Sequence, residues 1–506
     1  MELQLSSSLS HTLQTASVAT VIFLACVLIS QINYRAKLAK LPAFRYRTSN
    51  AEEKRQTFLR SATKLYNEGY EKFKDSVYRM LTSDGRYIIV VPAKFLPELR
   101  RMPDDVLSLG KSIEDTMETR YTKLITDDMS LAHAVKADLT PALVRINPII
   151  SREVEEAMRD EMPPCDDWTP VNIYFALVNI VAKVSGRVFV GPELCQDKEY
   201  LDAGINYTMD VIEAQRTVKE MKPFLRPFLA NRLPAVRRLR DREQRAMNVL
   251  GPIVEARIKA ESKPGYERPD DMLQWFLNRR TEYGIASTEK IARLQLNLIF
   301  AAIHTTTMTA TNIFYSLAST PECMEPLREE IRAAVADNGG IMTTRALQQM
   351  EKLDSYMKET MRCFPPGTTS FGRKVMKGIT LSNGQYIPAG STIEVPSYSI
   401  YQDESIYPNS AKFDGFRFYK MRQESGGARN QFVSLSEQHL GFGYGKHACP
   451  GRFFAANEIK MIVARTVLEY DFRNEGGRKE RYQNHMIGRS SVPDASKKLL
   501  FKKITV

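Results

Sequence analysis

Cysteine is sparse in this chain of 506 residues, and its six cysteines never stand close together. They are Cys26, Cys165, Cys195, Cys323, Cys363 and Cys449. This spacing forms neither a disulfide framework nor a zinc site, so it suits a protein that folds in a reducing compartment. Internal repeats and long low-complexity linkers are lacking, and so is any zinc-finger or RNA-binding signature. We therefore do not expect nucleic acid as a partner.

Charge is missing from residues 3–34, which contain no Asp, Glu, Lys or Arg. The apolar centre of this segment, residues 16–29, reaches with its flanks about the 20 residues that cross a bilayer. Glu2 precedes the segment, and the basic side chains follow it. A cleaved signal peptide is the alternative, but it needs positive charge ahead of the apolar run. The pattern therefore favours an uncleaved membrane anchor.

The charge balance of the whole chain is basic, with 71 Lys and Arg against 59 Asp and Glu and a formal net charge of +12. A membrane surface or an acidic protein partner explains that charge. By the positive-inside rule, the basic residues after the anchor stay cytoplasmic. We expect an anchor over residues 1–34 with its helix at about 13–32, a basic linker over 35–50, and one large domain over 51–506. That domain would face the cytosol at the endoplasmic reticulum.

Helical periodicity dominates the large domain, and strand-like runs are few. Residues 86–92 and the short runs within 380–395 predict strands, because they combine β-branched or aromatic side chains with turn residues. The longest helical pattern covers about Thr288 to Ser319, with Ser287 or Thr288 as its cap and Pro321 after its end. The other predicted helices cover 93–102, 151–162, 171–188, 198–221, 236–259, 270–280, 324–337 and 347–363. The predicted fold class is mainly α with a small β part.

One cysteine lies in a glycine-rich loop that leads directly into a helical pattern. The loop reads Phe442-Gly443-Tyr444-Gly445-Lys446-His447-Ala448-Cys449-Pro450-Gly451. A helix N-terminus supplies free amides and partial positive charge, which favour an ionised thiol able to bind a soft metal or a haem iron. Gly445 and Gly451 let the backbone approach the sulfur closely, because no Cβ intervenes. The alternative is a structural cysteine beside a helix cap.

This loop resembles the cysteine loop of the cytochrome P450 superfamily, the haem-thiolate monooxygenases. The family's pattern is Phe, two residues, Gly, three residues, Cys, one residue and Gly, which Phe442, Gly445, Cys449 and Gly451 match. His447 stands two places before the cysteine, where the family usually has Arg or His. The resemblance implies haem b as cofactor, Cys449 as its axial iron ligand, Phe442 packed against it and His447 beside a propionate.

The long predicted helix carries a second family feature, the segment Ala301-Ala302-Ile303-His304-Thr305-Thr306. In the family this helix crosses the distal face of the haem, and its threonine helps to deliver protons to bound oxygen. Thr305 occupies the threonine position. Ala302 replaces the usual Gly, and His304 replaces the usual acid, so an imidazole would take part in the proton relay. Without the resemblance, an ordinary Thr-rich core helix explains the segment equally well.

A third feature is a set of three charges. Glu359 and Arg362 stand at i, i+3 on one predicted helix face, where they can pair. Arg417 follows in the segment Phe413 to Phe418. In the family these three charges form a buried cluster behind the cysteine loop. Their implied role is structural, because buried charges are tolerated only when they are paired and hydrogen-bonded.

Contacts to the haem propionates form a fourth feature. Arg373 stands where the family has an arginine that pairs with a propionate, and guanidinium matches carboxylate geometry well. A surface arginine is the alternative. The family often has a further ligand on an earlier helix, which would fall within residues 131–145. Lys136 and Arg145 are both open candidates for it.

Taken together, the resemblance covers the anchor, the linker, the distal helix, the charge cluster and the cysteine loop, in the family's order. It implies a P450 fold in the large domain, and an NADPH- and O2-dependent monooxygenase. A flavin-containing NADPH–cytochrome reductase would supply the electrons. Residues 366–371 and 488–491 match segments that line the substrate pocket, with Ala301 and Thr305 at its floor. The candidates for docking the acidic reductase are Lys446, Arg452 and Lys460. A solvated surface charge is the alternative for each of them.

The substrate is implied only by the look of a fungal secondary-metabolism enzyme, in residues 441–458 and in the His-Thr-Thr stretch. That look implies a lipophilic polycyclic substrate, either a terpenoid or an indole-terpenoid. Three alternatives stay open: an oxygen-independent isomerase or dehydratase on the same fold, a non-catalytic haem-binding protein, and an anchored protein without haem. Thr305 argues against the first alternative, and the departure at His304 keeps the second one open.

Overall fold

The computed structural model describes residues 2–126, 128–285, 287–425 and 428–504. Met1 and the last two residues, which belong to the expected anchor and large domain, lie outside the described residues. The α-helices are α1 (Glu2–Ala39), α2 (Ala51–Lys72), α3 (Leu96–Leu99), α4 (Leu109–Met117), α5 (Thr119–Thr122), α6 (Met129–Ala134), α7 (Thr140–Glu161), α8 (Ile173–Phe189), α9 (Lys198–Glu220), α10 (Arg226–Leu229), α11 (Pro234–Ala260), α12 (Met272–Asn278), α13 (Thr288–Leu317), α14 (Met324–Ala336), α15 (Thr344–Gln349), α16 (Glu351–Cys363), α17 (Ser397–Tyr401), α18 (Arg417–Ser425) and α19 (Arg452–Glu469). A π-helical segment, Val135–Leu139, joins α6 to α7.

The β part is small, and it forms four separate sheets among the described residues. The strands are β1 (Tyr78–Leu81), β2 (Tyr87–Val90), β3 (Leu107–Ser108), β4 (Thr169–Val171), β5 (Ser370–Val375), β6 (Ile379–Thr380), β7 (Tyr386–Ile387), β8 (Thr392–Val395), β9 (Tyr470–Asn474), β10 (Asn484–Ile487), β11 (Ser490–Pro493) and β12 (Leu499–Lys503). The largest sheet has the order β1-β2-β8-β5-β3, and the others are β4-β12-β9, β10-β11 and β6-β7. In the largest sheet β2 runs parallel to β8, and the other neighbours are antiparallel.

The N-terminal helix is longer than expected. It runs without a break to Ala39, so the first residues of the expected linker are helical. Residues 35–39 contain Arg, Ala, Lys and Leu, which are good helix formers, and the first proline comes only at position 42. Its part Gln14–Ala39 is long and apolar enough to span a bilayer. The helix reaches the β part at Tyr34, whose Oη lies 3.4 Å from Oγ of Ser391.

Helix α13 lies at the centre of the domain and packs against α8, α9, α11 and α19. Its start is the predicted one, because the Ser287 hydroxyl accepts the backbone N–H of Lys290 at 3.2 Å. It ends at Leu317, two residues before the predicted end. Most of its side chains are buried, as a helix surrounded by others requires.

The predicted helix over 347–363 is two helices instead of one. Met350 has φ −80° and ψ 67°, which ends α15 and lets α16 begin at Glu351. The carboxylate of Glu330, on α14, accepts the backbone N–H groups of Lys352 at 2.7 Å and Leu353 at 3.0 Å. This distant side chain satisfies donors that the first turn of a helix leaves free. It also fixes the start of α16, which carries Glu359 and Arg362.

Candidate active site

The cysteine loop is closed by its own backbone. The N–H of Cys449 donates to the carbonyl of Phe442 at 2.8 Å, and the N–H of Ala448 donates to the carbonyl of Gly445 at 3.1 Å. Helix α19 begins at Arg452, so the sulfur lies at its N-terminal end. The backbone N–H groups of Gly451 and Arg452 lie near enough to the sulfur to lower the pKa of the Cys449 thiol. The Cys449 side chain is nevertheless exposed.

The electrostatics of the sulfur depend on two opposing effects. Desolvation by the surrounding loop raises the pKa of the Cys449 thiol, while the N–H groups of Gly451 and Arg452 and the charge of Arg452 lower it. Desolvation is the larger effect, so the helix end alone does not give a thiolate at neutral pH. A bound metal ion deprotonates a coordinating thiol outright. The Cys449 thiol is exposed beside backbone amides and would become an anion when a metal binds. These properties are those of a cysteine that binds iron.

The two glycines of the expected motif differ in their roles. Gly445 has φ +74°, and a Cβ there would lie 3.0 Å from Cβ of Arg100. Both conditions favour glycine. Gly451 has φ −83°, and a Cβ there would meet nothing within 4 Å. Its backbone is therefore open to any residue, and its contribution is the N–H group and the open space beside the sulfur. The loop also contains Phe442, which is half-buried and packs edge-on against Phe432.

Arg373 is a buried cation without an acid beside it. Its side chain is on β5 and only 5% exposed, and its Nη1 donates to the neighbouring Gly372 carbonyl at 2.8 Å. The guanidinium stacks 4.2 Å from the centre of the Phe371 ring. Within the described ranges no carboxylate lies within 4 Å of it. Desolvation lowers the pKa of Arg373 to about 10, although the more distant Asp104 opposes this shift. A buried guanidinium without a carboxylate partner from the protein suits the binding of a group that has its own carboxylate.

His447 lies in the same crevice as Arg373. Its Nε2 is 2.6 Å from Oδ1 of Asp104, and the Lys446 ammonium is 3.1 Å from the same oxygen. Desolvation raises the pKa of Asp104, but the hydrogen bonds from His447 and Lys446 outweigh it and lower the pKa overall. The ring nitrogen expected to face a propionate is therefore engaged with a carboxylate of the protein.

Arg100 also lines this crevice, and the sequence analysis did not single it out. Its Nη1 donates to the Tyr444 hydroxyl at 3.2 Å, and its guanidinium lies 5.3 Å from the centre of that ring. The available signal was a pair of arginines, Arg100 and Arg101, at the end of a short helical pattern. The crevice thus brings Arg100 to Arg373 and His447, which suits an acidic group.

The two candidates for a further propionate ligand lie in different places. Lys136 is in the π-helical segment, and its Nζ lies 3.2 Å from the carbonyl of Lys446 in the cysteine loop. Arg145 instead forms a two-pronged pair with Asp270, at 2.6 and 2.7 Å, on the protein surface. Of the two, only Lys136 lies against the loop.

The distal helix has an open stripe on a largely buried surface. Ala301 and Thr305 are exposed, although Ile303 and Thr306 beside them are buried. Positions i and i+4 share one helix face, so this stripe faces a single open space. The Thr305 hydroxyl donates to the carbonyl of Ala301 at 2.6 Å. Thr309, half-buried one turn later, makes the same type of bond to the carbonyl of Thr305 at 2.8 Å.

His304 does not share that face. It is buried, and its Nε2 lies 2.7 Å from the carbonyl oxygen of Ile205 in the middle of α9, so the ring N–H donates there. Successive helix residues project about 100° apart, which separates the imidazole from the Thr305 hydroxyl. Desolvation lowers the pKa of His304, against the smaller effect of the bond to Ile205. The structure therefore gives His304 a contact between helices where the sequence suggested a partner for Thr305.

The three expected charges lie together. The two carboxylate oxygens of Glu359 accept Nε and Nη2 of Arg362, both at 2.8 Å, and Nε of Arg417 at 3.1 and 3.2 Å. Side-chain exposure is 0% for Glu359 and Arg362 and 11% for Arg417. The remaining guanidinium N–H groups donate to carbonyls, including that of Tyr401 at 2.7 Å. Every charge in this cluster is therefore paired, and the cluster joins α16 to the start of α18.

One expected docking residue is wrong. Lys460 is 6% exposed, and its Nζ donates to Asp354 at 2.9 Å and to the carbonyl of Leu347 at 3.0 Å. An ammonium in that position cannot meet a partner protein. Arg452 is half-buried and donates to the carbonyl of Cys449 at 3.0 Å. Lys446 is exposed.

The segment after α16 connects the site's walls. At its start the amide of Asn312, on α13, donates to the carbonyl of Phe364 at 3.4 Å. At its end the Ser370 hydroxyl donates to the carbonyl of Leu440, just before the cysteine loop, at 3.0 Å. Between them, Thr368 N–H donates to the carbonyl of Arg489 at 2.8 Å. The two expected pocket segments, 366–371 and 488–491, are therefore in contact.

The comparisons with known proteins agree with this geometry. The family model described as Cytochrome P450 matches residues 126–500. The chain belongs to the cytochrome P450 family. Its relatives include cytochrome P450 monooxygenase ATR3 of Stachybotrys chlorohalonatus (strain IBT 40285), 39% identical over 82% of this chain and 88% of the relative. Monooxygenase braC of Annulohypoxylon truncatum is 36% identical over 88% and 89%. Monooxygenase paxP of Penicillium paxilli is 35% identical over 88% and 86%.

The P450 fold is also found among solved structures. The retinoic acid bound cyanobacterial CYP120A1 superposes with a TM-score of 0.66 at 17% identity, covering 89% of this chain and 96% of that one. This P450 is a monooxygenase of the fungal secondary-metabolism type, and its N-terminal apolar helix is compatible with a membrane anchor. The predicted family and fold class are confirmed.

Proposed function

We propose that this P450 is an NADPH- and O2-dependent haem-thiolate monooxygenase that oxidises a lipophilic polycyclic secondary metabolite, a terpenoid or an indole-terpenoid. The observation that carries the proposal is the Cys449 thiol, exposed at the N-terminal end of α19 in a loop that the hydrogen bond from the Cys449 N–H to the Phe442 carbonyl closes. The open stripe of Ala301 and Thr305 supports it, because a buried helix exposes two positions on one face only where it borders a cavity.

The residues present fit haem b. Cys449 would bind the iron, Phe442 would pack against the ring, and Gly451 would leave room beside the sulfur. Arg373 would pair with a propionate, with Arg100 and Lys136 nearby, and His447 would act through its contact with Asp104. When bound, haem b supplies the activation of O2 and the insertion of one oxygen atom into a C–H bond, which thiolate ligation favours.

Thr305 would manage protons in this site. Its hydroxyl is exposed on the distal stripe and now donates to the Ala301 carbonyl, so it can accept from one group while donating to another. His304 would position the wall of the site, because its imidazole fastens α13 to α9 through the Ile205 carbonyl. Gly204, the residue before Ile205, packs at this crossing against the side chains of Ile299 and Ile303. We therefore assign proton handling to Thr305 alone.

The cluster of Glu359, Arg362 and Arg417 would hold the proximal wall in shape. For the domain plan, we propose that residues 1–34 anchor the chain in the endoplasmic reticulum membrane in a single pass, with linker residues 35–50 and catalytic residues 51–506 on the cytosolic side. Phe224 and Phe228, 68% and 74% exposed between α9 and α11, support a membrane-facing side. The electron donor would be an NADPH–cytochrome reductase with flavins, docking near Lys446 and Arg452.

Reconstitution tests the proposal directly. The purified protein with a fungal NADPH–cytochrome reductase is incubated with a panel of tricyclic diterpenoids and indole diterpenoids under labelled O2. We expect a product that carries one labelled oxygen atom and requires both NADPH and reductase. Cys449→Ala is expected to abolish it. Product formed without NADPH or O2 would support the isomerase or dehydratase alternative instead, and a haem-loaded protein that converts nothing would support the non-catalytic one.

A further inference from the structure

A large cavity lies between the N-terminal helix and the expected substrate pocket. Its volume is about 1200 Å³. Its outer wall is the end of α1 around Tyr34, and its sides are the β1–β2 hairpin and α4. Its inner wall includes Thr369, Ser370 and Gly372, which belong to the segment that contacts the cysteine loop through Leu440. The cavity therefore extends from the anchor to the wall of the proposed active site.

Arg489 lies on this wall, and only one side of its guanidinium makes an ion pair with the described part of the protein. Its Nη1 pairs with Glu394, which is 3% exposed and also accepts the hydroxyls of Tyr66 and Thr369. Across the described residues its Nε and Nη2 donate to no protein atom. The side chain is 36% exposed, and the residue lines the cavity. Glu394 thus fixes the orientation of Arg489 and leaves two N–H groups directed away from the pair.

Lys219, at the end of α9, lines the same cavity. Within the described parts of the chain no carboxylate lies within 4 Å of its ammonium. Desolvation lowers the pKa of Lys219, the charges of Asp84 and Glu118 oppose this shift, and the charge of Arg489 adds to it. Arg489 and Lys219 are like charges that face one cavity, and no acid forms an ion pair with both of them within the described residues, which favours the binding of an anion.

The remaining acids on the cavity wall offset the charge of this pair only in part, because Asp84 acts on both cations without an ion pair to either within the described residues. Lys374 pairs with Asp115 at 2.6 Å. Asp84, at the hairpin turn, accepts the hydroxyl of Thr82 and the backbone N–H of Arg86. The cations without an ion pair on this wall, among the described residues, are Arg35, Arg79, Arg86 and Lys219. The cavity is therefore basic and, with Thr369 and Ser490, rich in hydrogen-bond donors.

From this arrangement we propose that the substrate carries a carboxylate at the end remote from the oxidised carbon, and that Arg489 and Lys219 bind it. This inference rests on the proposed function and deepens it, because it makes the substrate an amphiphilic acid. Arg489 presents two N–H donors, which match the two oxygens of a carboxylate. The apolar body of the substrate would then extend past Thr369 and Ser370 toward Thr305.

An anionic phospholipid headgroup is a different occupant for the same charges. The buried neighbours of Arg489 favour the substrate. Its backbone carbonyl accepts from Thr368, which is fully buried, and its partner Glu394 is buried as well. A headgroup at a membrane surface would be expected to use the exposed Arg35 and Arg86 at the mouth.

The test compares acids with their methyl esters. Isothermal titration of the full-length, haem-loaded protein in detergent measures the Kd of dehydroabietic acid, dodecanoic acid and the two methyl esters. We expect at least one acid to bind about 10- to 100-fold more tightly than its ester, as charge-assisted hydrogen bonds to a carboxylate predict. Arg489→Met should reduce that ratio to near one, and Lys219→Met should reduce it in part. Arg489→Lys should keep part of it.

Controls separate this inference from a folding defect and from the proposed function. Lys374→Met removes a cation already paired on the same wall and should leave the acid-to-ester ratio unchanged. Arg489→Met with Glu394→Gln removes the acid that the single variant leaves buried and unpaired, and it should behave like Arg489→Met. An acid-to-ester ratio near one for both wild-type pairs, absence of binding included, would overturn the inference. If the spectrum of thiolate-ligated haem is intact in that sample, the proposed function survives the failure.

Vesicles test the lipid alternative. Flotation with phosphatidylcholine vesicles, with and without phosphatidylserine, should be the same for wild type and Arg489→Met. If Arg489→Met loses phosphatidylserine-dependent flotation while the acid-to-ester ratio stays unchanged, the site binds a headgroup and the inference is wrong.

Discussion

Two buried arginines, Arg362 on α16 and Arg373 on β5, differ in the partners that the fold gives their charges. Arg362 is fully buried, shares the carboxylate of Glu359 with Arg417, and donates its remaining N–H to the Tyr401 carbonyl. Arg373 is 5% exposed and has only the carbonyl of its own neighbour and the face of Phe371. In the first region every charge has a partner within the protein. The second has a charge for which the described residues provide no partner.

The difference separates residues that stabilise the fold from residues that bind a ligand or cofactor. A buried charge that is paired on all sides holds two elements together, and removing its partner is strongly destabilising. A buried charge without a partner is unfavourable for folding and persists where a bound group supplies the partner. The same reasoning places Lys460 with the first region, and Lys219, which has no ion-pair partner among the described residues, with the second. Arg489 is intermediate, because Glu394 pairs with one side of its guanidinium and no atom of the described residues pairs with the other. The variants below test the assignment, in order of expected effect.

The largest effect is expected for Glu359→Ala. It leaves two buried guanidinium groups without their carboxylate, so the free energy of unfolding should fall by about 3–5 kcal/mol. Urea unfolding and the yield of soluble, haem-loaded protein measure it. Asp75→Ala is the matched control, because Asp75 pairs with Lys94 on the exposed surface and its removal should change nothing measurable. An equally small effect for both would show that the buried cluster does not hold the fold.

The next effect concerns a buried acid that has no cationic partner in the described part of the chain. Glu458, on α19, is fully buried, hydrogen-bonds to Ser185 at 2.9 Å, and has one oxygen without a partner. Desolvation raises its pKa to about 8. Between about pH 4.5 and pH 8, the Glu458 carboxyl group keeps its proton in the folded protein and loses it in the unfolded chain. The free energy of unfolding therefore falls as the pH rises through this range. Glu458→Gln should remove this fall and stabilise the protein by a few kcal/mol at pH 8, since one pKa unit corresponds to about 1.4 kcal/mol.

Thermal unfolding of wild type and Glu458→Gln at pH 6 and pH 8 checks this expectation. Glu469→Gln, at the partly exposed end of the same helix, should change neither value. A wild-type protein that is as stable, relative to Glu458→Gln, at pH 8 as at pH 6 would show that the carboxyl group does not carry a proton in the folded state.

A smaller effect is expected for Arg373→Met, and it should appear in cofactor retention. Removal of an unpaired buried charge does not weaken the fold, but it removes a charge-assisted hydrogen bond to haem worth about 1.5–3 kcal/mol. Haem transfer to apomyoglobin should accelerate about 10- to 100-fold. Arg101→Met, which removes an exposed arginine nearby, should leave the transfer rate unchanged. A loss of folding stability with normal haem retention would place Arg373 in the same class as Arg362.

The smallest effect on stability is expected for Thr305→Ala. The residue is exposed on the distal stripe, so the free energy of unfolding should change by less than about 1 kcal/mol. Product formed per NADPH oxidised should fall, with more peroxide released, because the proton-handling hydroxyl is gone. Thr309→Ala removes the same type of hydrogen bond one turn later and should keep coupling close to wild type. Unchanged coupling in Thr305→Ala would remove this residue from the proposed proton relay.

Local patterns predicted the fold class, the long helix α13 and the residues of the cysteine loop, because capping, periodicity and glycine spacing act within a few residues. They did not predict that Lys460 is buried, since its partner Asp354 lies 106 positions earlier in the sequence. The break at Met350 depends on Glu330 from another helix. The direction of His304 depends on the carbonyl of Ile205, on another helix. These outcomes were set by contacts between distant segments, which spacing along the chain does not encode.

The central claim, that the sulfur of Cys449 binds haem iron as a thiolate, is tested most directly by the absorption spectrum of the reduced, carbon monoxide-bound protein. We expect the wild type to show the band of thiolate-ligated haem, and we expect Cys449→Ala to lose it while keeping its fold by circular dichroism. A folded, haem-loaded wild-type protein without that band, or a Cys449→Ala variant that retains it, would contradict the account.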